Sequence, residues 1–424
     1  MKLSRYTQII EINDDCYAVY NNIYFEIKYV DKSYLKRIMK YQVNLDEKND
    51  LLNKYIYVSD DDIDNYLYTI LLNNFETKRN LKTLYVIPSA TCNMKCDYCF
   101  VYKNNYINND VFKMNREMSD VLIDRIFEYI NTNSEEFILI FYGGEPLTNK
   151  REFFYIVKTL REKGFAYKIS MITNGTLLDQ ETVKFLSEKN VSIGISADGP
   201  VGVNGRKKHG GSVYNGVLEK ISLLNENKID YGLSLTITNE VLKKQKEVMS
   251  WNIRRDVNSI NYNMLHFWGD NYNLDYIKKY YRDATNFIIR SYINSSNIYD
   301  DRIHRKLESF YNNNFNYADC SAMAGEQLTV SYNGDVSICN CDFNDKGSYI
   351  GNIKQNNFDN LIQIENTKFN IKRNSPIYNG ICIECYALPI CGGGCYKQYS
   401  DRQIDEGFCI HSKLIMDYLL QAII

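Results

Sequence analysis

Cys92-Asn93-Met94-Lys95-Cys96-Asp97-Tyr98-Cys99 sets three cysteines at spacings of three and two residues. An extended apolar run, Leu84-Tyr85-Val86-Ile87-Pro88, comes shortly before it. A strand that feeds a short thiolate loop can wrap one face of an iron–sulfur cluster. Such clusters normally take four cysteine ligands. Three ligands leave one iron open, as a catalytic metal site keeps a position for its substrate.

The Cys92-x3-Cys96-x2-Cys99 loop resembles the signature of the radical S-adenosylmethionine (radical SAM) enzymes. The pattern around it agrees. From residue 81 to about 270, strands are expected over 84–87, 137–142, 168–173, 191–196, 232–237 and 260–267. Helical stretches fall between them at 118–129, 153–162, 180–189 and 216–225. Repeated β-α units imply a parallel sheet with right-handed crossovers. Six of them fit an α/β fold, a partial (β/α)6 TIM-type barrel, which the resemblance also implies. Functional residues of barrels gather at the C-terminal ends of the strands, and the unusual residues sit there. Gly143-Gly144-Glu145-Pro146 follows the second strand; its glycines permit close backbone approach and its carboxylate can accept from an ammonium. Alone it reads as a turn. One unit after the cysteine loop, it resembles the family's motif for the amino group of the cofactor's methionine moiety. Thr173-Asn174-Gly175 and Ser196-Ala197-Asp198-Gly199-Pro200 end the next two strands and resemble the segments around the cofactor's ribose and carboxylate. Asn174 and Ser196 are the expected contacts there, though Asn-Gly and Asp-Gly are also common turn pairs. Arg206 can pair with a carboxylate bidentately. The resemblance puts Tyr98 near the adenine.

Residues 320–409 hold eight cysteines: Cys320-x13-Gly334-x4-Cys339, then Cys341, then Cys382-x2-Cys385-x5-Cys391-x3-Cys395, then Cys409. This block resembles the SPASM domain that follows the barrel in a subset of the family. Zinc is the bland alternative, since it favours Cys-x2-Cys pairs. Beside a radical SAM loop the block implies two auxiliary [4Fe–4S] clusters, making three in all. By family pattern one is held by Cys382, Cys385, Cys391 and Cys409, the other by Cys320, Cys339 and Cys395. The fourth ligand of the latter stays open: Ser321-Ala322-Met323-Ala324-Gly325 stands where some relatives carry a cysteine. Cys341 can complete the set or replace Cys339, and otherwise a substrate thiolate can take the open iron. Cys341-Asp342-Phe343 resembles the sulfatase maturases, where an Asp beside a ligand acts as a base; a solvated loop carboxylate is the plain reading of Asp342. Gly392-Gly393-Gly394 lets backbone pack close to a bulky cube.

With 424 residues the chain suggests two or three domains. A net charge of −2 gives no footprint for nucleic acid or an anionic membrane. No apolar run approaches the ~18–20 residues of a membrane span, and the N-terminus lacks a signal-peptide core. A cytoplasmic chain is expected, and its 12 cysteines read as metal ligands or catalytic groups rather than a disulfide framework. The 37 tyrosines reflect composition bias and nominate no radical relay. The expected domains are a small strand–helix domain over 1–80, the barrel over 81–270, a helical bridge over 271–318 and the SPASM domain over 319–424. In the first, strands are expected at 6–12, 16–20 and 23–29, and helices at 33–39 and 61–72. It resembles the winged-helix leader-recognition domain of peptide-modifying radical SAM enzymes, which adds a precursor peptide to its sheet edge. A cap that only covers the barrel is the alternative. Cys16 reads as a structural thiol. The bridge, with helices at 276–292 and 301–311, has no chemical signature. Of the four histidines only His266, at a strand end, faces the expected site.

The resemblance implies that the reduced cluster on Cys92, Cys96 and Cys99 chelates S-adenosyl-L-methionine and yields a 5′-deoxyadenosyl radical, which removes an unactivated hydrogen from a peptide residue. The cofactor carries the hard chemistry and the protein supplies orientation. The leading expectation is a maturase of a ribosomal precursor peptide that forms a thioether, with C–C or C–O crosslinking next. Its partners are that peptide and a reductase or flavodoxin/ferredoxin-type electron donor. Competing readings are an anaerobic sulfatase maturase making formylglycine, and a non-catalytic iron–sulfur or zinc scaffold that binds peptides. The cofactor motif at Gly143 to Pro146 argues against the scaffold.

Overall fold

The computed structural model of the chain describes residues 1–75, 80–99, 110–133, 135–200, 203, 207–208, 211–212, 214–253, 259–267, 273–294, 300–364, 375–398 and 404–422. Arg206 lies outside them, as does His209.

The N-terminal domain pairs β1 (Lys2–Leu3) with a later strand, and stacks β2 (Thr7–Asn13), β3 (Cys16–Asn21) and β4 (Lys28–Asp31) into an antiparallel sheet. The third strand starts later than its apolar pattern suggests, for a local reason. The Asn21 side chain accepts from the backbone N–H of Ile23 at 2.9 Å and of Tyr24 at 3.1 Å, and this turn takes the chain out of the ladder. Asp31 then caps the helix Lys32–Met39. The helix Leu45–Asn53 is an addition to the expected elements, although its Asn44/Glu47 capping box is legible in the sequence. β5 (Tyr57–Val58) closes onto β1, and the helix Asp61–Phe75 follows.

The barrel strands are β6 (Thr83–Ser89), β7 (Ile138–Gly143), β8 (Ile169–Thr173) and β9 (Val191–Ser196), then, after a small hairpin of β10 (Lys207–Lys208) and β11 (Gly211–Ser212), β12 (Tyr231–Ile237) and β13 (Ser259–Met264). All six barrel strands are parallel, and each pairs with its neighbour in chain order. The helices Arg116–Thr132, Lys150–Glu162, Gln180–Glu188 and Tyr214–Glu226 lie between them. The last strand ends three residues before its apolar run does. There the Leu265 N–H donates to the Tyr280 hydroxyl at 2.7 Å and the Phe267 N–H to Gln398 Oε1 at 2.9 Å, so side chains replace the ladder.

Residues along β8 and β12 alternate between buried and half-buried. The buried set (Ile169, Met171, Leu233, Leu235) joins the main core. The other face carries small or polar residues such as Ser170, Gly194, Ser234 and Asn263, and the Asn263 amide donates to the Ser234 hydroxyl at 2.8 Å. The same face also carries Tyr85, Ile140, Tyr142 and Ile172.

The C-terminal domain continues the same sheet. β14 (Gln327–Val330) runs parallel to β6 on its outer edge, and β15 (Asp335–Ser337) and β16 (Gly351–Asn352) add antiparallel strands. The bridging helices Leu274–Asn294 and Asp301–Tyr311 pack with the last helix, Glu406–Ala422. Among the described residues no helix is long and apolar enough to cross a membrane.

Candidate active site and metal centres

The loop from residue 90 to 99 leaves the C-terminal end of β6. Its turns are tied by its own backbone, with the Met94 N–H on Cys92 Sγ at 3.4 Å and the Cys99 N–H on the Cys96 carbonyl at 3.1 Å. Burial pushes the Cys92 thiol up to about 12, and the Glu145 carboxylate and the thiols of Cys99 and Cys96 push the same way. Three thiols of one short loop thus stand near enough to act on one another, where a thiolate would be costly without a cation; a metal centre that supplies the positive charge suits them.

Glu145 is fully buried. Its Oε1 accepts from the Leu147 N–H at 3.1 Å and the Thr173 hydroxyl at 2.8 Å, and its Oε2 from the Asn174 N–H at 2.8 Å. The two glycines before it serve the backbone. A Cβ on Gly143 would stand 2.5 Å from the Ser89 carbonyl oxygen, and one on Gly144 would stand 2.8 Å from that of Ala90. Close approach is therefore to the start of the cysteine loop, and it seats Glu145 beside Cys92. Asn174 reaches the same place, its amide donating to Asn93 Oδ1 at 2.9 Å and to Cys92 Sγ at 3.8 Å. Tyr98 donates to Asp198 at 2.5 Å, and Asp198, buried at the end of β9, also accepts from the Thr236 N–H at 3.1 Å. Ser196 is buried at the same strand end. Tyr98, Glu145, Asn174 and Ser196 thus meet at one end of the sheet.

The C-terminal thiols fall into two sets. Burial, then Cys391 and Cys385, push Cys382 up to about 12; Cys409 is pushed up by burial, then by Cys391, Cys382 and Cys385. Burial, then Cys339, push Cys320 up to about 11, and Cys395 is raised by burial and by Cys339 and Cys320. Cys341 joins this second set, since Cys339 is raised first by a hydrogen bond with Cys341 and then by burial. Among the described residues no three His, Cys, Asp or Glu side chains converge for a single ion. The glycines between Cys391 and Cys395 again serve backbone contacts: a Cβ on Gly392 would meet the Asp319 nitrogen at 2.5 Å, and one on Gly394 the Asp405 side chain.

Residues 86–251 match the radical SAM superfamily, and residues 320–386 match SPASM, an iron-sulfur cluster-binding domain. The chain carries a radical SAM domain and a SPASM domain. Together they imply iron–sulfur clusters and S-adenosylmethionine. Radical SAM cyclopropyl synthase TigE of Paramaledivibacter caminithermalis is 26% identical over 97% of this chain and 90% of its own. A cysteine-type anaerobic sulfatase-maturating enzyme of Clostridium perfringens is 24% identical over 79% of this chain and 95% of its own. Among solved structures, native anSMEcpe with bound AdoMet superposes with a TM-score of 0.66 at 22% identity, covering 80% of this chain and 97% of that one. Streptococcus suis SuiB bound to precursor peptide SuiA superposes with a TM-score of 0.54 at 15% identity, covering 96% and 98%.

Within the SPASM domain, Asp342 departs from a solvated loop carboxylate. It is fully buried, hydrogen-bonded by the Tyr396 hydroxyl and ion-paired with Lys397. Burial raises its pKa, opposed by Lys397 and Tyr396. Burial, then the charges of Arg302 and Lys397, push His266 down to about 3. His304 is exposed, and His411 is buried against the Thr285 hydroxyl at 3.0 Å. Cys16 is half-buried at the start of β3. Two features escaped sequence reasoning. Asp198 was hidden in an ordinary Asp-Gly turn. Lys306 sits in the apolar stripe Ile303, Leu307, Phe310 of its helix, and a lysine at that helical spacing is a signal that can be read.

Proposed function

We propose that the protein is a radical SAM maturase of a ribosomally made precursor peptide, joining two positions of that peptide with loss of two hydrogens. The observation that carries this reading is the seat of the N-terminal domain. Gln8 donates to the Glu384 carbonyl at 3.3 Å, the Tyr20 hydroxyl to that of Tyr386 at 2.6 Å, and the Asn22 amide to those of Ile383 at 2.7 Å and Cys385 at 3.2 Å. A peptide added as a strand to this sheet would therefore be held next to the segment that carries Cys382 and Cys385. Length points the same way. TigE and SuiB align with 97% and 96% of this chain, whereas the sulfatase-maturating enzyme of C. perfringens aligns with 79%.

The ligand sets we assign are Cys92, Cys96 and Cys99; Cys320, Cys339, Cys341 and Cys395; and Cys382, Cys385, Cys391 and Cys409. When bound, a reduced cluster with S-adenosylmethionine supplies a primary carbon radical able to take hydrogen from an unactivated C–H bond. The chain's own residues do the rest. Glu145 and Asn174 hold the cofactor end of the site, and Tyr98 and Asp198 fix the loop. Asp342, paired with Lys397, is the carboxylate placed to accept a substrate proton.

Thioether formation is one product; carbon–carbon bond formation is the second. Cys341 favours the latter, because a fourth protein thiol leaves no iron for a substrate thiolate, and TigE is named for a cyclopropyl product. The test is anaerobic reconstitution with metal analysis, followed by incubation with S-adenosylmethionine, reductant and the short peptide encoded beside the gene. About twelve irons are expected for three clusters, together with 5′-deoxyadenosine and a product lighter by two hydrogens. Alkylation then separates the products, since a thioether removes one peptide thiol and a carbon–carbon bond removes none. Bound zinc without iron, or no deoxyadenosine, refutes the reading.

A further inference from the structure

Lys306 has a fully buried side chain. Its ammonium donates to Asp319 Oδ1 at 2.8 Å and to the carbonyls of Cys391 at 3.0 Å and Ile390 at 3.4 Å, and lies 4.8 Å from the Phe408 ring centroid. Asp319 Oδ2 stands 3.8 Å from the Arg302 guanidinium. The trio joins the two thiol sets: Asp319 precedes Cys320, while Cys391 and the Phe408–Cys409 pair belong to the other set. Arg302 feels the Cys320 thiol, and the Cys391 thiol feels Lys306.

A staple alone does not require this charge. The strand of chain at 316–319 is already fastened to 389–392 by the Asn316 N–H on the Pro389 carbonyl at 2.7 Å, the Asn316 amide on that of Ile390 at 3.1 Å, and the Asp319 N–H on that of Gly392 at 2.9 Å. Apolar packing would add as much stability as a buried ion pair. Arg305 also acts on Asp319, and Asp300 and Asp405 on Arg302, so the charges around the pair are mixed; the one set directly against a thiol-bearing segment is that of Lys306, whose ammonium reaches the Cys391 carbonyl. A cluster ligated by four thiolates is a dianion when oxidised and a trianion when reduced by one electron, and nearby charge sets its potential.

We propose that Lys306, with Arg302 and Asp319, is a charge bridge between the two auxiliary centres that stabilises their reduced states and sets their potentials. The bridge rests on the assignment of clusters to the two thiol sets.

The experiment uses the full-length, anaerobically reconstituted protein, with iron and zinc measured first and then a redox titration followed by electron paramagnetic resonance. Lys306→Met removes a positive charge, Asp319→Asn a negative one, and the double variant restores the net charge. A unit charge ~10 Å away at an effective dielectric constant of ~20 changes a one-electron reduction constant about 16-fold, or about 70 mV. The expected result is a downward shift of about that size in Lys306→Met, an upward one in Asp319→Asn, and near-original potentials in the double variant. Lys306→Arg should keep the original values, and with Asp319→Asn it carries the test if Lys306→Met loses iron. Full iron with unmoved potentials, or with both single variants shifting in one direction, overturns the bridge. Zinc in place of iron in the unaltered protein overturns instead the assignment on which it rests.

Discussion

Glu145→Gln tests whether Glu145 organises the site as well as facing the cofactor. The carboxylate has two acceptor oxygens and three donors around it: the Leu147 N–H, the Thr173 hydroxyl and the Asn174 N–H. Glutamine keeps one oxygen and turns the other into an NH2 group. If its carbonyl takes the Oε1 place, the NH2 meets the Asn174 N–H head-on. If it takes the Oε2 place, the Thr173 hydroxyl can turn and accept, but the Leu147 N–H faces a donor. Either way one buried backbone N–H loses its acceptor, at a cost of about 1–3 kcal/mol. Local opening of residues 143–149 or 173–176 should become about 5- to 150-fold more frequent, because ~1.4 kcal/mol is a factor of ten. Native-state hydrogen exchange on the metal-free, reduced protein reads this directly, without S-adenosylmethionine. Unchanged exchange in both segments would refute the reasoning, and a loss of cofactor binding in that variant would then have to be assigned to a direct contact.

Three further outcomes follow from the same geometry. Tyr98→Phe removes the 2.5 Å hydrogen bond to Asp198; a bond to a charged group is worth about 1.5–3 kcal/mol, and faster hydrogen exchange in the loop at 92–99 should show it. Asp179 caps the helix Gln180–Glu188 through the Thr182 N–H and also contacts Lys150. Burial raises its pKa, but the bonds from Thr182 and Lys150 prevail and bring it down to about 2. A depressed carboxylate adds stability that is present above its unfolded pKa of ~3.9 and is lost as pH falls toward 2. Its side chain is 54% exposed, so Asp179→Ala should cost no more than a cap, about 1 kcal/mol, in denaturant titrations at neutral pH, with the difference vanishing near pH 2. Cys341→Ala should lower the iron retained by the SPASM domain and bring up a three-iron signal in electron paramagnetic resonance; unchanged iron and spectrum would remove Cys341 from the ligand set.

The barrel was legible because its strands and helices have different periods, and because the turn glycines and cysteines fall at strand ends. Strand limits were less so. β4 and β13 begin or stop where side chains of Asn21, Tyr280 and Gln398 take over backbone hydrogen bonds, and no periodicity encodes that. At the site, the thiols and Glu145 stand out in the chain, while Asp198 and Asp319 do not. Their meaning comes from partners far away in sequence, Tyr98 a hundred residues earlier and Lys306 on a separate helix. At Gly143 and Gly392 a Cβ would meet the Ser89 carbonyl oxygen and the Asp319 nitrogen at 2.5 Å, so these glycines serve close approach within the chain as well, which no local pattern announces.

The two auxiliary thiol sets are fastened to different parts of the molecule, and this bears on what each can do. The set with Cys320 and Cys339 hangs from β14 and β15, and β14 is paired in register with β6, the strand that delivers Cys92. Phe343, one residue past Asp342, packs with Ile87 and Ala90 and against Cys99. Ladder and side chain together hold this set to the radical SAM loop, so a shift of one moves the other. The set with Cys382 and Cys385 is bonded instead to the N-terminal domain through Tyr20 and Asn22. Lys306 and Asp319 lie between the two sets, the ammonium bonded both to Asp319, beside Cys320, and to the Cys391 carbonyl.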